Sequence, residues 1–194
     1  MRAYRVAWVD RGWESLQEED PFHPMWVPVD RQGGGRFDNR HRYAALYLAT
    51  SPQSAVGEAF GNSSVWIEAE IVRAKEGRSR SLVTLEVDDG KELLDLDDPQ
   101  TLVELGLRPS DVRRRNRDHT QEVALALSLD MAATGTRGLR WRSYWRPEWE
   151  VLVLWSNSLD PPWFPFVSVV DVEELRVGHP AVVLAADVLP RELR

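Results

Sequence analysis

The sequence predicts an α+β fold in which a mixed or antiparallel sheet is flanked by helices. Strand-like segments outnumber helical ones and do not alternate with them regularly, which disfavours a doubly wound parallel sheet. The chain has 194 residues, about the size of one domain, and contains no internal repeat. We therefore expect a single domain over residues 1–194, with its main motifs in residues 3–155 and a C-terminal part, residues 156–194, that completes the sheet.

Strand signals come from period-2 alternation and from β-branched and aromatic residues. The opening segment places Tyr4, Val6 and Trp8 on one face and Arg5 on the other, which predicts a first strand. A clear half-buried pattern recurs over residues 65–72. The predicted strands cover residues 4–9, 46–49, 65–72, 81–87, 139–142, 150–155 and 166–177.

Helix signals come mainly from capping residues. Ser51 followed by Pro52 predicts the N-terminus of a helix that stops at Gly61, and Asp98 followed by proline predicts a second start. The predicted helices cover residues 52–60, 99–105 and 120–134, and the ambiguous segment 181–194 is compatible with a small helix. Residues 10–42, rich in Pro, Gly and charge, predict a long loop, a feature often found at functional sites.

Composition excludes several classes of function. The chain has 24 basic and 31 acidic side chains, a net charge of −7, which disfavours direct binding to nucleic acid or to an anionic membrane. It has no cysteine, which excludes disulfides and thiolate sites and fits a reducing cytoplasm. No segment matches an export signal or the roughly 20 apolar residues of a membrane helix. We expect a soluble cytoplasmic protein.

Known metal and nucleotide motifs are missing from the sequence. The four histidines are far apart and form no His-Glu-x-x-His pair, so no metal site is expected. The acidic cluster of Asp95, Asp97 and Asp98 lacks the glycine and glutamate of a calcium loop and is interpreted as a turn and a helix cap. The glycine triplet at residues 33–35 is followed by no Gly-Lys-Ser/Thr, so by itself it indicates a surface loop.

A set of motifs changes that interpretation. Residues 34–61 read GGRFDNRHRYAALYLATSPQSAVGEAFG and resemble the RES domain family, the toxin halves of a bacterial toxin–antitoxin class. The opening strand with Arg5 and the segment GLRWRS ending at Ser143 also resemble that family. The family is named for Arg, Glu and Ser, which by this resemblance correspond to Arg36, Glu58 and Ser143, with Arg5 as a second arginine.

The resemblance implies a fold similar to ADP-ribosyltransferases and an enzyme that degrades NAD with release of nicotinamide. In that chemistry Arg5 and Arg36 would hold phosphates, since a guanidinium binds phosphate oxygens in pairs. Glu58 would stabilise the oxocarbenium-like ribose. Tyr47 would stack on nicotinamide or donate through its hydroxyl, and Ser143 would hydrogen-bond the amide or a phosphate. Neutral nicotinamide leaves without a general acid, and no metal or cofactor beyond the substrate NAD is expected.

Several alternatives remain open at this stage. The ADP-ribosyl acceptor is water, inorganic phosphate or a protein, the last defining a mono-ADP-ribosyltransferase, and a noncatalytic nucleotide- or partner-binding domain is a third possibility. Glu58 can be a surface residue, Tyr47 core, Ser143 an ordinary strand residue, and Arg36 a surface ion-pair partner. The family implies a cognate antitoxin with an Xre-type helix-turn-helix domain. The basic run at 113–117 is either solvated surface or a rim that attracts NAD or an acidic antitoxin segment.

Overall fold

A seven-stranded mixed sheet forms the centre of the structure, a computed structural model that describes residues 1–72, 77–88, 93–113, 117–129 and 135–194. The strands are β1 (Arg2–Asp10), β2 (Ala44–Ala49), β3 (Val65–Trp66), β4 (Arg78–Val87), β5 (Leu93–Asp95), β6 (Gly138–Arg142), β7 (Glu150–Ser156), β8 (Val167–Glu174) and β9 (Glu192–Leu193). The main sheet has the order β5-β6-β7-β2-β1-β4-β8, and every neighbouring pair is antiparallel except β5 with β6. β3 and β9 form a separate parallel pair. The predicted α+β class with a mixed sheet is confirmed.

Six helices accompany the sheets in the described residues. They are α1 (Pro52–Phe60), α2 (Glu68–Ile71), α3 (Pro99–Glu104), α4 (Pro109–Arg113), α5 (Arg117–Leu129) and α6 (Pro180–Val188). The predicted helix starts at Ser51 and Asp98 are confirmed, because each side chain accepts hydrogen bonds from backbone amides of the first turn. Within the described ranges no helix is long and apolar enough to cross a bilayer.

Most other predicted elements agree with the structure to within a few residues. Predicted helix 120–134 corresponds to α5, which begins at Arg117, and residues 130–134 lie outside the described residues. Residues 114–116 of the basic run also lie outside them. The ambiguous C-terminal segment forms α6 and then β9. The three-residue strand β5 was not predicted, because so short a segment carries no periodic signal.

The strand predicted over residues 65–72 is wrong beyond its first two residues. The indole of Trp66 donates hydrogen bonds to the carbonyls of Phe60 and Ser63, which holds this segment directly against the end of α1. Among the described residues it pairs only with the two-residue β9, and the chain then turns into α2 instead of continuing as a strand. Ile71, in that helical turn, is fully buried. The period-2 pattern of the sequence does not show whether a partner strand is present, so it could not predict the turn.

The two faces of the main sheet are covered differently. Helix α1 packs against one face, where Tyr4, Val6 and Ala45 contribute to the larger apolar core, and α6 packs on α1. The loop of residues 10–42 supplies Met25 and Val27 to a second core, which also contains the β-strand residues of the opposite face. The loop therefore acts as a structural layer, and its position determines what surrounds the centre of the sheet.

The sheet opens between β1 and β2. These two strands pair at a single position, Tyr4 with Ala49, although β1 is nine residues long and β2 is six. Along the diverging part the side chain of Gln32 replaces β1. Its Nε2 donates to the carbonyl of Ala45 at 2.5 Å, and its Oε1 accepts from the Ala45 amide at 3.2 Å. The amide and the carbonyl of Ala45 thus stay hydrogen-bonded while a cleft forms beside β2.

Helix α1 approaches the chain that follows β6 closely because it carries glycine at two contact points. A β-carbon at Gly57 would overlap the ring of Trp149, and one at Gly61 would lie 2.5 Å from the ring of Trp145. Ser143 lies two residues before Trp145, so this contact brings α1 and its residue Glu58 to the serine.

Gly57→Ala should destabilise the protein. Alanine favours helix by about 1 kcal/mol over glycine, but the added carbon must displace Trp149, and overpacking of this kind costs about 1–3 kcal/mol. We expect a lower free energy of unfolding in urea. Gly178→Ala is the control, because a β-carbon there meets nothing within 4 Å. Equal stability of both variants would contradict the described contact between α1 and Trp149.

Candidate active site

A cavity of about 430 Å³ lies where β1 and β2 separate. Its walls come from these strands, from α1 and from the loop of residues 10–42, and three predicted site residues line it: Arg5, Tyr47 and Glu58. The other two, Arg36 and Ser143, line a second cavity of about 450 Å³. Trp141 contributes to both cavities. The predicted site residues are thus divided between two adjoining spaces.

A hydrogen bond connects Ser143, in the wall of the second cavity, with Glu58, in the wall of the first. The hydroxyl of Ser143 donates to Oε1 of Glu58 and accepts a hydrogen bond from the amide of Trp145 at 3.0 Å. The Ser143 amide donates to the carbonyl of Trp149 at 2.7 Å, so the serine is held by its backbone as well. Only 7% of Ser143 is exposed. The serine therefore fixes the direction of the Glu58 carboxylate.

The protonation of Glu58 is set by opposing effects. Solvent reaches the residue, yet burial of its carboxyl group in the cavity wall raises the pKa of Glu58. The hydrogen bond from Ser143 and the positive charge of Arg36 both lower it, but burial is the largest effect and the pKa stays above its ordinary value. A carboxylate oriented by Ser143 at the wall of a cavity can stabilise a cation placed beside it.

The guanidinium of Arg36 lies against backbone and aromatic rings. Its Nη2 donates to the carbonyl of Val112, and its central carbon is 5.5 Å from the ring centre of Phe37 and 5.9 Å from that of Trp141. Its charge acts on Glu58, as the pKa of that residue indicates. Arg36 therefore faces the second cavity and lies close enough to Glu58 for its charge to act on that carboxyl group.

The ring and the hydroxyl of Tyr47 make different contacts. Its ring lines the first cavity and lies edge-to-face with Trp141, with the ring centres 6.5 Å apart. Its hydroxyl accepts a hydrogen bond from the Phe37 amide at 2.9 Å. Burial and then the neighbouring carboxylate of Asp38 raise the pKa of Tyr47 well above its usual value. The hydroxyl therefore binds the backbone of the loop at Phe37, whereas the ring faces the cavity.

Arg5 supplies a buried positive charge to the first cavity. Burial lowers the pKa of Arg5 to about 10, and its Nη1 donates to the carbonyl of Trp26 at 3.4 Å. In the part of the chain that the structure describes, Arg5 forms no ion pair with a carboxylate. A poorly compensated guanidinium facing a cavity is suited to an anionic ligand.

Sequence reasoning missed two residues next to this site. Asp38 accepts hydrogen bonds from the amides of the glycine triplet, and Gln121 of α5 donates to carbonyls of the same triplet. Asp38 bonds amides that precede it in the chain, which is not the Asx-turn pattern, and nothing in the sequence indicated that α5 reaches this loop. Within the described ranges no group of three or more His, Asp or Glu residues is arranged to hold a metal ion.

The model of the RES domain family matches residues 2–171. The chain belongs to the RES domain family. Among solved structures, this RES domain is similar to a chain in the crystal structure of the M. tuberculosis MbcT–MbcA toxin–antitoxin complex. The two are 21% identical with a TM-score of 0.60, and the match covers 97% of this chain and 88% of that chain. No curated protein matches it. The resemblance predicted from the motifs is confirmed, and the structural likeness shows a shared fold.

Glu58→Gln should leave the RES domain as stable as the wild type or more stable. Because the pKa of Glu58 is raised in the folded state, the ionised form destabilises the fold at pH above that pKa, and glutamine removes this cost. The Oε1 of glutamine can still accept from Ser143. Calorimetry at pH 8 should give an equal or higher Tm for the variant, and the difference should shrink at pH 4, where Glu58 is protonated in the folded protein. A lower Tm at pH 8 would contradict this assignment.

Proposed function

We propose that this RES domain cleaves the nicotinamide–ribose bond of NAD and transfers the ADP-ribosyl group to water or inorganic phosphate. The observation that carries the proposal is the Glu58 carboxylate, which Ser143 orients at the junction of two cavities. Arg5 adds a positive charge in the same cavity as Glu58. NAD has matching chemistry, since it carries a cationic pyridinium ring and an anionic pyrophosphate.

The reaction needs little from the protein beyond charge and orientation. The bond between ribose C1′ and the pyridinium nitrogen breaks, its electron pair stays on nitrogen, and nicotinamide leaves as a neutral molecule. Positive charge develops on the ribose, where the Glu58 carboxylate stabilises it. An oxygen of water or phosphate then bonds to C1′. When water attacks, its proton passes to Glu58, whose raised pKa suits this role.

The remaining site residues would bind and orient the dinucleotide. We assign the pyrophosphate to Arg5, with Arg36 as a second cationic contact from the neighbouring cavity. The ring of Tyr47 would contact nicotinamide, a role that its cavity-facing position supports. Ser143 would act by orienting Glu58, which its hydrogen bond supports. No metal or further cofactor enters this scheme.

We also propose a protein partner. The solved relative comes from a complex described as toxin–antitoxin, and the RES family membership of this chain supports the same biological class. We infer that this chain is a toxin that acts on cytoplasmic NAD. Its partner would be a cognate antitoxin, with the Xre-type helix-turn-helix domain that the family implies, covering the site until it is released.

Incubation of the purified chain with NAD tests the proposed reaction. Nicotinamide release should be observed by chromatography, and Glu58→Gln should lower kcat by about 100-fold or more, because one electrostatic stabiliser of a transition state is worth about 10²–10³. Glu14→Gln is the matched control, since Glu14 is exposed and does not line either cavity. Free ADP-ribose would identify water as the acceptor, and a phosphate-dependent product would identify phosphate.

The same assay separates the alternative functions. Label from NAD that remains on a macromolecule would indicate a mono-ADP-ribosyltransferase with a protein acceptor. NAD that binds but stays intact under all conditions would indicate a noncatalytic binding domain. Equal rates for Glu58→Gln and Glu14→Gln would refute the role given to Glu58.

Arg5→Met should raise the KM for NAD, because it removes the buried charge assigned to the pyrophosphate. Hydrogen bonds to charged groups contribute about 1.5–3 kcal/mol, which corresponds to roughly a 10- to 150-fold weaker interaction. Arg2→Met is the control on the same strand, since Arg2 is exposed and lies outside the cavity. Steady-state kinetics that show the same KM for both variants would contradict the assignment.

A further inference from the structure

The glycine triplet beside the site is closed by one carboxylate. Oδ2 of Asp38 accepts hydrogen bonds from the amides of Gly33 and Gly35, each at 2.7 Å. A β-carbon at Gly35 would lie only 2.6 Å from Oδ1 of Asp38 and 2.6 Å from the hydroxyl of Tyr47. Only 5% of Asp38 is exposed. Gly33 and Gly34 are exposed, but the buried Asp38 carboxylate holds the backbone of the triplet through the amides of Gly33 and Gly35.

The same loop is held from two further directions. Nε2 of Gln121, on α5, donates to the carbonyl of Gly35 at 2.9 Å and to that of Gly33 at 3.4 Å. On the inner side, the Phe37 amide donates to the Tyr47 hydroxyl at 2.9 Å. Arg36 lies between Gly35 and Phe37, so the backbone is tethered immediately before and immediately after it.

We propose that Asp38 is a positioning residue that sets the location of the Arg36 guanidinium relative to Glu58, with Gln121 supporting the loop from outside. The inference deepens the proposed function, and its kinetic readout rests on that function. Asp38 itself has no direct role in the reaction. Its carboxylate keeps the glycine triplet closed, and the closed triplet directs Arg36 towards Val112 and the second cavity.

Loss of the Asp38 charge and displacement of Arg36 would shift the pKa of Glu58 in opposite directions. Removal of a nearby negative charge lowers the pKa of a carboxyl group, whereas displacement of a nearby guanidinium raises it. The charged groups that line the cavity with Glu58 are Arg5, Arg31 and Asp38, and Arg36 acts from the second cavity. The direction in which Glu58 titrates therefore distinguishes positioning of Arg36 from a direct effect of charge.

Three variants test the proposal: Asp38→Ala, Asp38→Asn and Gln121→Ala. The control is Asp30→Asn, because Asp30 is exposed and lies in the same loop. The pKa of Glu58 is measured in the free protein by ¹³C NMR titration of labelled carboxyl groups, assigned with Glu58→Gln. Asp38→Ala should raise this pKa and lower kcat/KM for NAD about tenfold or more, with most of the loss in kcat. Asp38→Asn should stay close to wild type, because the amide oxygen can accept both glycine amides. Gln121→Ala should act in the same direction as Asp38→Ala but less strongly.

Two results would overturn the proposal. A lower pKa of Glu58 in both Asp38 variants would indicate a direct effect of charge. An unchanged pKa of Glu58 in folded Asp38→Ala would show that the glycine loop does not set the position of Arg36. If Asp38→Ala does not fold, Gln121→Ala decides by the same titration, with an unchanged pKa counting against the proposal. The titration needs no substrate, so a chain that fails to cleave NAD would refute the proposed function while the role of Asp38 is still measured.

Discussion

The hydrogen bond from Ser143 to Glu58 ties helix α1 to the chain that leaves β6, and the arrangement of the site depends on it. The two residues are 85 positions apart, so only tertiary packing brings them together. Gly57 and Gly61 make that packing possible, because any side chain at either position would meet a tryptophan ring. The result is a carboxylate with a defined direction at the junction of two cavities.

The charged residues Arg5 and Glu58 face the same cavity because β1 and β2 separate there. Where the strands diverge, the side chain of Gln32 hydrogen-bonds the backbone of Ala45 in β2, and Arg5 and Glu58 both face the resulting cavity. Burial disfavours the charged form of each, lowering the pKa of Arg5 and raising that of Glu58. A ligand with a negative centre and a positive centre would relieve both costs at once. The cavity is therefore suited to a ligand that carries both an anionic and a cationic group.

Sequence reasoning succeeded where the determining interactions are local or where several motifs occur in order. The start of α1 follows from Ser51 and its own first turn, and the ordered motifs identified the RES domain family. The strand over residues 65–72 failed because alternation does not reveal whether a partner strand exists. The support of the glycine triplet by Gln121, 86 positions from Gly35, left no signal in the sequence. The same holds for the hydrogen bond that the Tyr47 hydroxyl accepts from the Phe37 amide.

The proposed reaction requires an ionised Glu58, whose carboxylate is hydrogen-bonded by Ser143. The most direct test is the pH dependence of kcat/KM for nicotinamide release in the wild type and in Ser143→Ala, with the exposed Ser15→Ala as the control. The hydrogen bond from Ser143 lowers the pKa of Glu58, so its removal should move the acid limb of the profile to higher pH. Superimposable acid limbs in the wild type and Ser143→Ala would contradict the account.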